Sequence, residues 1–560
     1  MFGGTAKRLT AWAAAAVVLA LPLAAQVKDG MQGAKAGPAA PLDRPAFHLA
    51  PAAAAFSLAV AGTATPRPSE KTEPLPPSPR KNWRRAFLET GVFLAYSTIR
   101  YWIEYGEWIE DWQYELTCED QYRRFLTLEA VRFDSNAFFV NWTHSLAGGL
   151  YYLISRANRL TWAESFLMTF GSSAFYEYVG EWREVISVND MFLTAFAGYS
   201  IGEPWHQLAD YFHHRKSFLG KALGFIDPFI KLNAWLDRKD PASRTYTEPG
   251  WHAFELSTGW RRLSAPGGTT LDTGYVSIET RIVHVPEYGR PGVFHKTLRD
   301  TSVSEFFLDL ALGSRRPGDE ALRPGLDEEA NFFTRVVGLA SYRQDIDELG
   351  RGYALSIGLG SAFSYLRKRP VFYDSRDYQV TVTPAPAPPT DFRDKFAIVH
   401  IAGPVVDWTR FSRTFRLRAT ADAYLDFAMM NAWAFNAYSR VHPTEGLKTT
   451  LTYYGYHYAF GASATARLEF AWRGLELRGL LSAQVWDSVE GLDRFQDDVV
   501  NDANAVDTRV RFLFRAAWKL PSVPLRLFAS VEGIHRWGRI ADVRASGRET
   551  RTYAGLSFLF

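Results

Sequence analysis

The sequence predicts a segregated α+β chain: an N-terminal helical domain followed by an antiparallel transmembrane β-barrel of about twelve strands. Three observations carry this. Apolar residues recur every three or four positions from about 83 to 240, then every second position from about 251 to 560. The period-two runs are about ten to fifteen residues long, which suits a tilted membrane span of ~9–11 residues with overhang. Aromatics make up 15% of the chain, yet mean hydropathy is only −0.17. Strands with one apolar and one charged face average to that value.

Composition removes several classes. The chain is 47% hydrophobic, too apolar to be disordered throughout. Its mean hydropathy is too low for a bundle of many transmembrane helices. Lys+Arg at 63 nearly balances Asp+Glu at 60, so no nucleic-acid partner is expected.

The first element reads as a signal peptide over 1–25. Lys7 and Arg8 precede the apolar run Leu9 to Leu23, and Ala24-Ala25 offers a small-residue cleavage site. Residues 26–82 form a Pro/Ala-rich disordered linker ending in Pro74-Leu75-Pro76-Pro77-Ser78-Pro79. Cys118 is the one cysteine; it makes no intrachain disulfide and is expected to be a buried bystander.

Residues 83–240 form the helical domain. Phe87, Phe93, Leu94, Trp102, Ile103 and Trp108 give a first helix from Trp83 to Trp112. A second covers Phe138 to Arg156. A third starts at Thr161, whose capping box uses Glu164, and runs to Arg183. A fourth starts at Ser187 with Asp190 as box partner and runs to Gly202. Pro204 is expected to break it and open a short helix through Phe212. No helix carries a charge-free apolar run long enough to span a membrane.

Residues 251–560 form the barrel. In the run Phe415 to Phe427, Leu417, Ala419, Ala421 and Leu425 alternate with Arg416, Arg418, Thr420 and Asp422. Val510, Phe512, Phe514 and Trp518 alternate with Arg511, Arg515 and Lys519; a tall strand covers 447–472. Arg467, Glu469 and the charges just named face the lumen, lining a pore or pairing across a packed interior. Phe415, Phe427, Phe470, Trp472, Trp518, Phe558 and Phe560 fall near strand ends, where aromatic girdles sit. Thr383 to Pro389 must be a loop, because proline cannot pair in a ladder. The final strand ends at Phe560, which looks like the terminal strand that the barrel assembly machinery reads in bacterial outer-membrane barrels. An even strand number puts both barrel ends on the periplasmic side, so the helical domain is expected in the periplasm or in the periplasmic mouth. Outer-membrane lipid is the implied surroundings, and a periplasmic protein is a candidate partner.

The candidate chemistry lies in the helical domain. The catalytic candidates are His144, Glu177, Glu181 and Asp190. Asn141, Glu164, Arg183, Asn189, Glu203 and His206 are the candidate polar network. Glu177 and Glu181 are four apart, on one helix face among apolar neighbours. Two carboxylates so placed need a cation, a shared proton or donors, for which His144, His206 and Arg183 are the candidates. A divalent metal is the candidate cofactor, although no Glu-x-x-His pair is present for a di-iron site.

Asn141, His144, Gly148, Gly149, Tyr151, Arg156, Ser165, Glu177, Glu181, Ser187, Asn189, Asp190, Gly198, Gly202 and Glu203 follow one another in an order that resembles the bacterial envelope family catalogued as domain of unknown function 3943, over about 138–210. The resemblance implies a Gram-negative envelope protein and no established activity. Three readings of these residues stay open. They are helix caps and a buried polar network, a metal or acid–base site, or a lipid or partner docking surface with the aromatic first helix on the inner leaflet. At the level of function the expectation is transport or envelope organisation. The alternatives are an outer-membrane hydrolase on lipid or another envelope substrate, and a scaffold for a periplasmic partner. No Gly-x-Ser-x-Gly elbow, Walker loop, His-Glu-x-x-His or Rossmann fingerprint is present.

Overall fold

The computed structural model of the protein describes residues 80–559 apart from 106–113, 135–137, 218–219, 221–222, 238–247, 266–269, 315–325, 370–393, 445–446, 448–454 and 490–502. The expected signal peptide, nearly all of the expected linker, the expected Thr383 to Pro389 loop and Phe560 lie outside the described residues.

Twelve antiparallel strands close into a barrel in chain order. They are β1 (Trp251–Ser264), β2 (Thr270–Val283), β3 (Val303–Ser314), β4 (Leu326–Ile346), β5 (Gly352–Arg369) and β6 (Asp394–Phe411). They continue as β7 (Phe415–Asn431), β8 (Tyr456–Trp472), β9 (Leu475–Ser488), β10 (Ala505–Lys519), β11 (Leu525–Ile540) and β12 (Val543–Leu559). β12 returns to β1 through pairs such as Leu556↔Thr258, so the ring has no open edge. A short strand, Gly292–Leu298, pairs with β4 beyond the start of β3. The tall strand expected from 447 begins at Tyr456; most of 447–455 lies outside the described residues.

The two ends of the barrel differ. Connections 347–351, 412–414, 473–474 and 520–524 are tight, and the start of β1 and the end of β12 lie at that end. At the same end 284–302 is longer and carries the short extra strand, while at the opposite end 370–393, 432–455 and 489–504 are long and 265–269 and 541–542 are short. This asymmetry is that of outer-membrane barrels.

The lumen is packed with charge pairs. Arg418 of β7 reaches Asp407 at 2.7 Å and Glu469 at 3.0 Å. Glu305 of β3 takes Arg335 at 2.8 Å, Arg467 at 3.1 Å and Arg418 at 3.4 Å. Pairs also cross from β2 to β6 (Arg281–Asp407, 2.8 Å) and from β9 to β2 (Arg478–Glu279, 2.7 Å). Arg551 and Arg261 both hold Glu329 at 2.7 Å. Arg335, Arg551 and Glu329 are buried. Of the two expectations for the lumenal charges, the packed interior is the one observed.

Among the described residues, seven helices precede the barrel: α1 (Trp83–Tyr105), α2 (Cys118–Leu126), α3 (Phe138–Ala157), α4 (Trp162–Phe175), α5 (Val188–Phe192), α6 (Gly198–His213) and α7 (Pro228–Leu236). Wider π turns follow α4 at Tyr176–Gly180 and join α5 to α6 at Leu193–Ala197. The Thr161–Glu164 capping box and the Ser187 cap form as expected. Pro204 does not break the helix; it sits inside α6, whose packing on both sides outweighs a lost hydrogen bond. The periodicity passes over α2 and α7, although Thr117 caps the first and Asp227-Pro228 starts the second. Cys118 opens α2 and is exposed rather than buried, because the first turn of α2 is solvent-facing.

The helices lie neither below the barrel nor in its lumen, but along its outer wall. α3 starts with Phe138 against Tyr365 and Tyr456, near the long-loop end. It ends with Arg156 about 4.0 Å from Asp300, in the connection at the tight-turn end. The α5–α6 rod runs the same way, from Phe192 on Phe427 to Tyr211 on His252 and Phe254. α4 begins near Arg299, whose carbonyl accepts from the Trp162 indole at 2.9 Å, and α1 begins beside Asn158. Both run toward the long-loop end, where the Trp102 indole donates to the Gly180 carbonyl. The covered residues Val336, Phe363, Ala397, Val399, Phe427 and Met429 all point out of the barrel and are buried, whereas outward Leu481 and Phe512 on the free wall are 57% and 50% exposed. The sequence pattern marks all of these positions as outward and cannot tell which sector a helix covers.

Close approach at glycines holds the layer together. A Cβ on Gly198 would lie 2.8 Å from the Gly148 backbone, and one on Gly202 2.8 Å from the Tyr152 ring. β4 bulges at Val337/Leu339, and there Gly338 faces the Tyr199 hydroxyl too closely for any side chain.

Candidate functional site

A polar cluster forms where the helical layer meets the long-loop end of the wall. α3 supplies His144, the π turn after α4 supplies Glu177, and the Ser187 cap places Asn189 and Asp190. A two-residue parallel ladder, Val131–Arg132 with Ile186–Ser187, sets Asp134 beside Asn189. Tyr458 of β8, pointing outward, closes the cluster from the barrel.

Asn189 organises it. Its Oδ1 accepts from the Asp134 backbone N–H and from Ser187 Oγ, each at 2.9 Å. Its Nδ2 faces Asp134 Oδ1 at 3.0 Å, Asp190 Oδ1 at 3.1 Å and Tyr458 Oη at 2.8 Å. Tyr458 Oη donates to Asp134 Oδ1 at 2.8 Å. The Ser187 N–H donates to Glu177 Oε2 at 3.1 Å. His144 Nε2 stands 3.7 Å from Asp190 Oδ2. Asp134, Glu177, Asn189 and Asp190 are buried.

Burial alone would raise the Asp134 carboxyl, but hydrogen bonds from Asp190, Tyr458 and Asn189 outweigh it and hold Asp134 below its ordinary range. Asp190 is pushed the other way, well above its ordinary range, by desolvation first and then by the Asp134 and Glu177 charges. Glu181, in the turn beyond the helix, is pushed well above its ordinary range by desolvation and then by the Glu177 and Glu184 charges. One donor atom each from His144, Glu177 and Asp190 lie within 4.8 Å of one another. That set of imidazole and carboxylates suits a divalent cation, which would draw the atoms to ~2.0–2.2 Å from itself.

Of the expected catalytic residues, the structure brings His144, Glu177 and Asp190 together and leaves Glu181 out. The π turn causes this: the Glu181 N–H reaches back five residues to the Tyr176 carbonyl, so Glu177 and Glu181 no longer share one helix face. Arg183 and His206 do not partner Glu177. Arg183 pairs with Glu115 at 2.7 Å, and His206 faces Asp227 at 3.3 Å. Glu203 belongs to a separate buried group, paired with Arg156 at 2.8 Å and accepting from Tyr152 at 2.8 Å and Gln207 at 2.7 Å. Glu164 caps α4 and pairs with Lys81. Asn141 lies on α3, its side chain outside the described residues.

Three contributors escape sequence reasoning. Asp134 stands in an irregular stretch with no periodicity. Tyr458 looks like any girdle aromatic. Arg124, buried on α2, donates to the carbonyls of Glu177, Tyr178, Glu181 and Glu184 and so holds the π turn in place.

A second histidine array lies in the lumen. Ser364 Oγ is 2.8 Å from His400 Nε2, and His400 Nδ1 is 2.6 Å from Asp426 Oδ1. The order is that of a nucleophile relay. By register, however, Ser364 stands between Phe333 and Ile398, within the sheet ladder. Ser463 Oγ and the Trp486 indole complete the array by donating to the two Asp426 oxygens.

These positions coincide with a known family. Residues 130–229 match the family described as Domain of unknown function (DUF3943). The match takes in α3 to α6 and every residue of the wall-side cluster except Tyr458. No curated protein matches the sequence. Among solved structures, the chain is similar to the TodX deltaS2S3 mutant monoaromatic hydrocarbon channel at 10% identity and a TM-score of 0.23, over 56% of this chain and 91% of that one. It is also similar to a loop-deletion mutant of OmpT, an outer membrane protein of Vibrio cholerae, at 8% identity and a TM-score of 0.19, over 56% and 100%. The translocator domain of the autotransporter NalP from Neisseria meningitidis gives 8% identity and a TM-score of 0.18, over 59% and 95%.

Proposed function

We propose that the protein is an outer-membrane hydrolase whose barrel conducts nothing and serves as the fixed wall of a site carried by the DUF3943-matching helices. The observation that carries this is the convergence of His144, Glu177 and Asp190 within 4.8 Å of one another, with Asn189, Tyr458 and Asp134 hydrogen-bonded beside them. The lumen supports it against transport, because guanidinium–carboxylate pairs that cross the interior stand in the path a solute would take. Orientation follows from loop length: the tight-turn end faces the periplasm and the long-loop end faces outward. The site then lies at the outer-leaflet level, and its substrate is an envelope lipid.

Glu177 and Asp190 are the carboxylates placed to take up a cation or a proton, and Asn189 and Tyr458 hold Asp134 beside them by hydrogen bonds. A divalent cation held by His144, Glu177 and Asp190 would supply an acidified water or a polarised ester oxygen. The test uses the full chain purified from outer membranes. About one equivalent of divalent metal per chain is expected, lost in H144A and D190N. The wild type is expected to cleave lipids extracted from the same membranes, read by mass spectrometry, and Glu177→Gln is expected to lose about 100-fold or more of that rate. A wild-type protein that leaves those lipids intact overturns the proposal.

A further inference from the structure

The helical layer carries an apolar outer face with no protein against it. On α1, Phe87, Leu88, Val92, Tyr96, Ile99 and Ile103 are all exposed. They form one stripe, interrupted only by Gly91 and Ala95 among exposed positions between Leu88 and Ile99. The charged residues of that helix are placed otherwise. Arg85 turns inward to Asn158 and Asp237, Glu89 accepts from Asn158, and exposed Arg84 and Arg100 stand toward the two ends. α4 presents Leu167, Phe170 and Phe175 on its exposed side, while its one charge, Glu164, sits at the tight-turn end with Lys81.

Three facts say what covers this face. First, the layer lies on outward barrel residues such as Phe363, Val399 and Phe427, positions that a membrane barrel offers to lipid. Second, the exposed wall on either side of the layer is apolar in the same way, with Leu468, Leu481, Phe512 and Phe514 exposed. Third, the heights agree. From Phe87 to Ile103 a helix rises about 24 Å, against an outward apolar band of ~25 Å in outer-membrane barrels. α1, α3, α4 and the α5–α6 rod each run the length of the wall between its two ends.

We propose that this layer is embedded in the same bilayer as the barrel, its outer face covered by lipid acyl chains. The helices replace the lipid-facing surface of β3 to β8 and pass four times between the two membrane surfaces. No described helix is long and apolar enough to cross a membrane by itself. None needs to be, since each inner face packs on the barrel or on a neighbouring helix, where polar groups such as Glu203 and Arg156 find partners. The helical domain is then not a periplasmic body, and the His144–Glu177–Asp190 cluster lies at the level of lipid headgroups.

This rests on the barrel spanning a membrane, and the experiment separates the two claims. The full chain carrying Cys118→Ser is given single cysteines in place of Val92, Ile99 and Phe170 on the helices, and of Leu481 and Phe514 on the free wall. Each variant is spin-labelled and reconstituted into phosphatidylcholine vesicles. Relaxation by oxygen and by a water-soluble nickel chelate is then measured. All five labels are expected to show strong oxygen relaxation and loss of the nickel effect. Nickel access at the helix sites with protection at the wall sites overturns the embedding alone. Exclusion of both reagents at the helix sites, the signature of a covering protein or a second copy, also overturns it. Nickel access at the wall sites overturns the membrane barrel itself.

Discussion

Replacing Glu305 with alanine is expected to destabilise the barrel by about 3–5 kcal/mol, the range for removing one partner from a buried charge group. Glu305 is the hub of the lumenal network, meeting Arg281, Arg335, Arg418 and Arg467 from four other strands. Without it Arg467 loses its carboxylate, and Arg281, Arg335 and Arg418 crowd around Asp407 and Asp422. Four guanidinium groups in a packed lumen then share too little negative charge. The urea midpoint of the detergent-solubilised barrel, read by its heat-modifiable gel mobility, is expected to fall. Glu305→Gln should lose less, because shape and some hydrogen bonding survive. An unchanged midpoint in Glu305→Ala would mean that the lumen is hydrated and the pairs are weak, contrary to a closed interior.

Gly148→Leu is expected to detach the helical layer while the barrel stays folded. A Cβ at Gly148 would run into the Thr194 backbone, and Gly198 faces the same crossing from the other side. Backbone cannot move aside as a side chain does, so the cost lies at or above the upper end of overpacking, about 3 kcal/mol. α3 must then separate from the α5–α6 rod, and that rod carries Asn189 and Asp190. Limited proteolysis should cut between α1 and α7 in the variant and spare the wild type, with unchanged heat modifiability in both. Protection equal to wild type would show that the crossing is looser than the geometry requires.

Most of the barrel was legible in the sequence. The alternation in β7, β8 and β10 fixes which residues face inward, and the register follows it pair by pair. The helix caps at Thr161 and Ser187 were equally legible, since a side chain bonding the backbone three residues on is a local event. Two things were not. The layer's position on the outer wall depends on which apolar outward residues meet which apolar helix face, and Phe427 under a helix reads the same as Phe512 under lipid. The cluster's membership depends on backbone geometry. The motif order singles out His144, Glu177 and Asp190, but the π turn that excludes Glu181 has no local signature. Asp134 and Tyr458 reach the site across 55 and 269 residues from Asn189. Arg183 and His206 were plausible partners by charge, and each found a nearer carboxylate.

The central claim is that the helices run along the barrel wall and carry the site to the outward end. Cys118 is a native reporter for it: it is exposed, and its helix packs through Arg124 on the turn that holds Glu177. Intact cells with the protein in their outer membrane are treated with a maleimide on a polymer too large for porins. Cys118 is expected to be labelled as fully before lysis as after it. Labelling only after the outer membrane is permeabilised would place α2 on the periplasmic side and contradict the account.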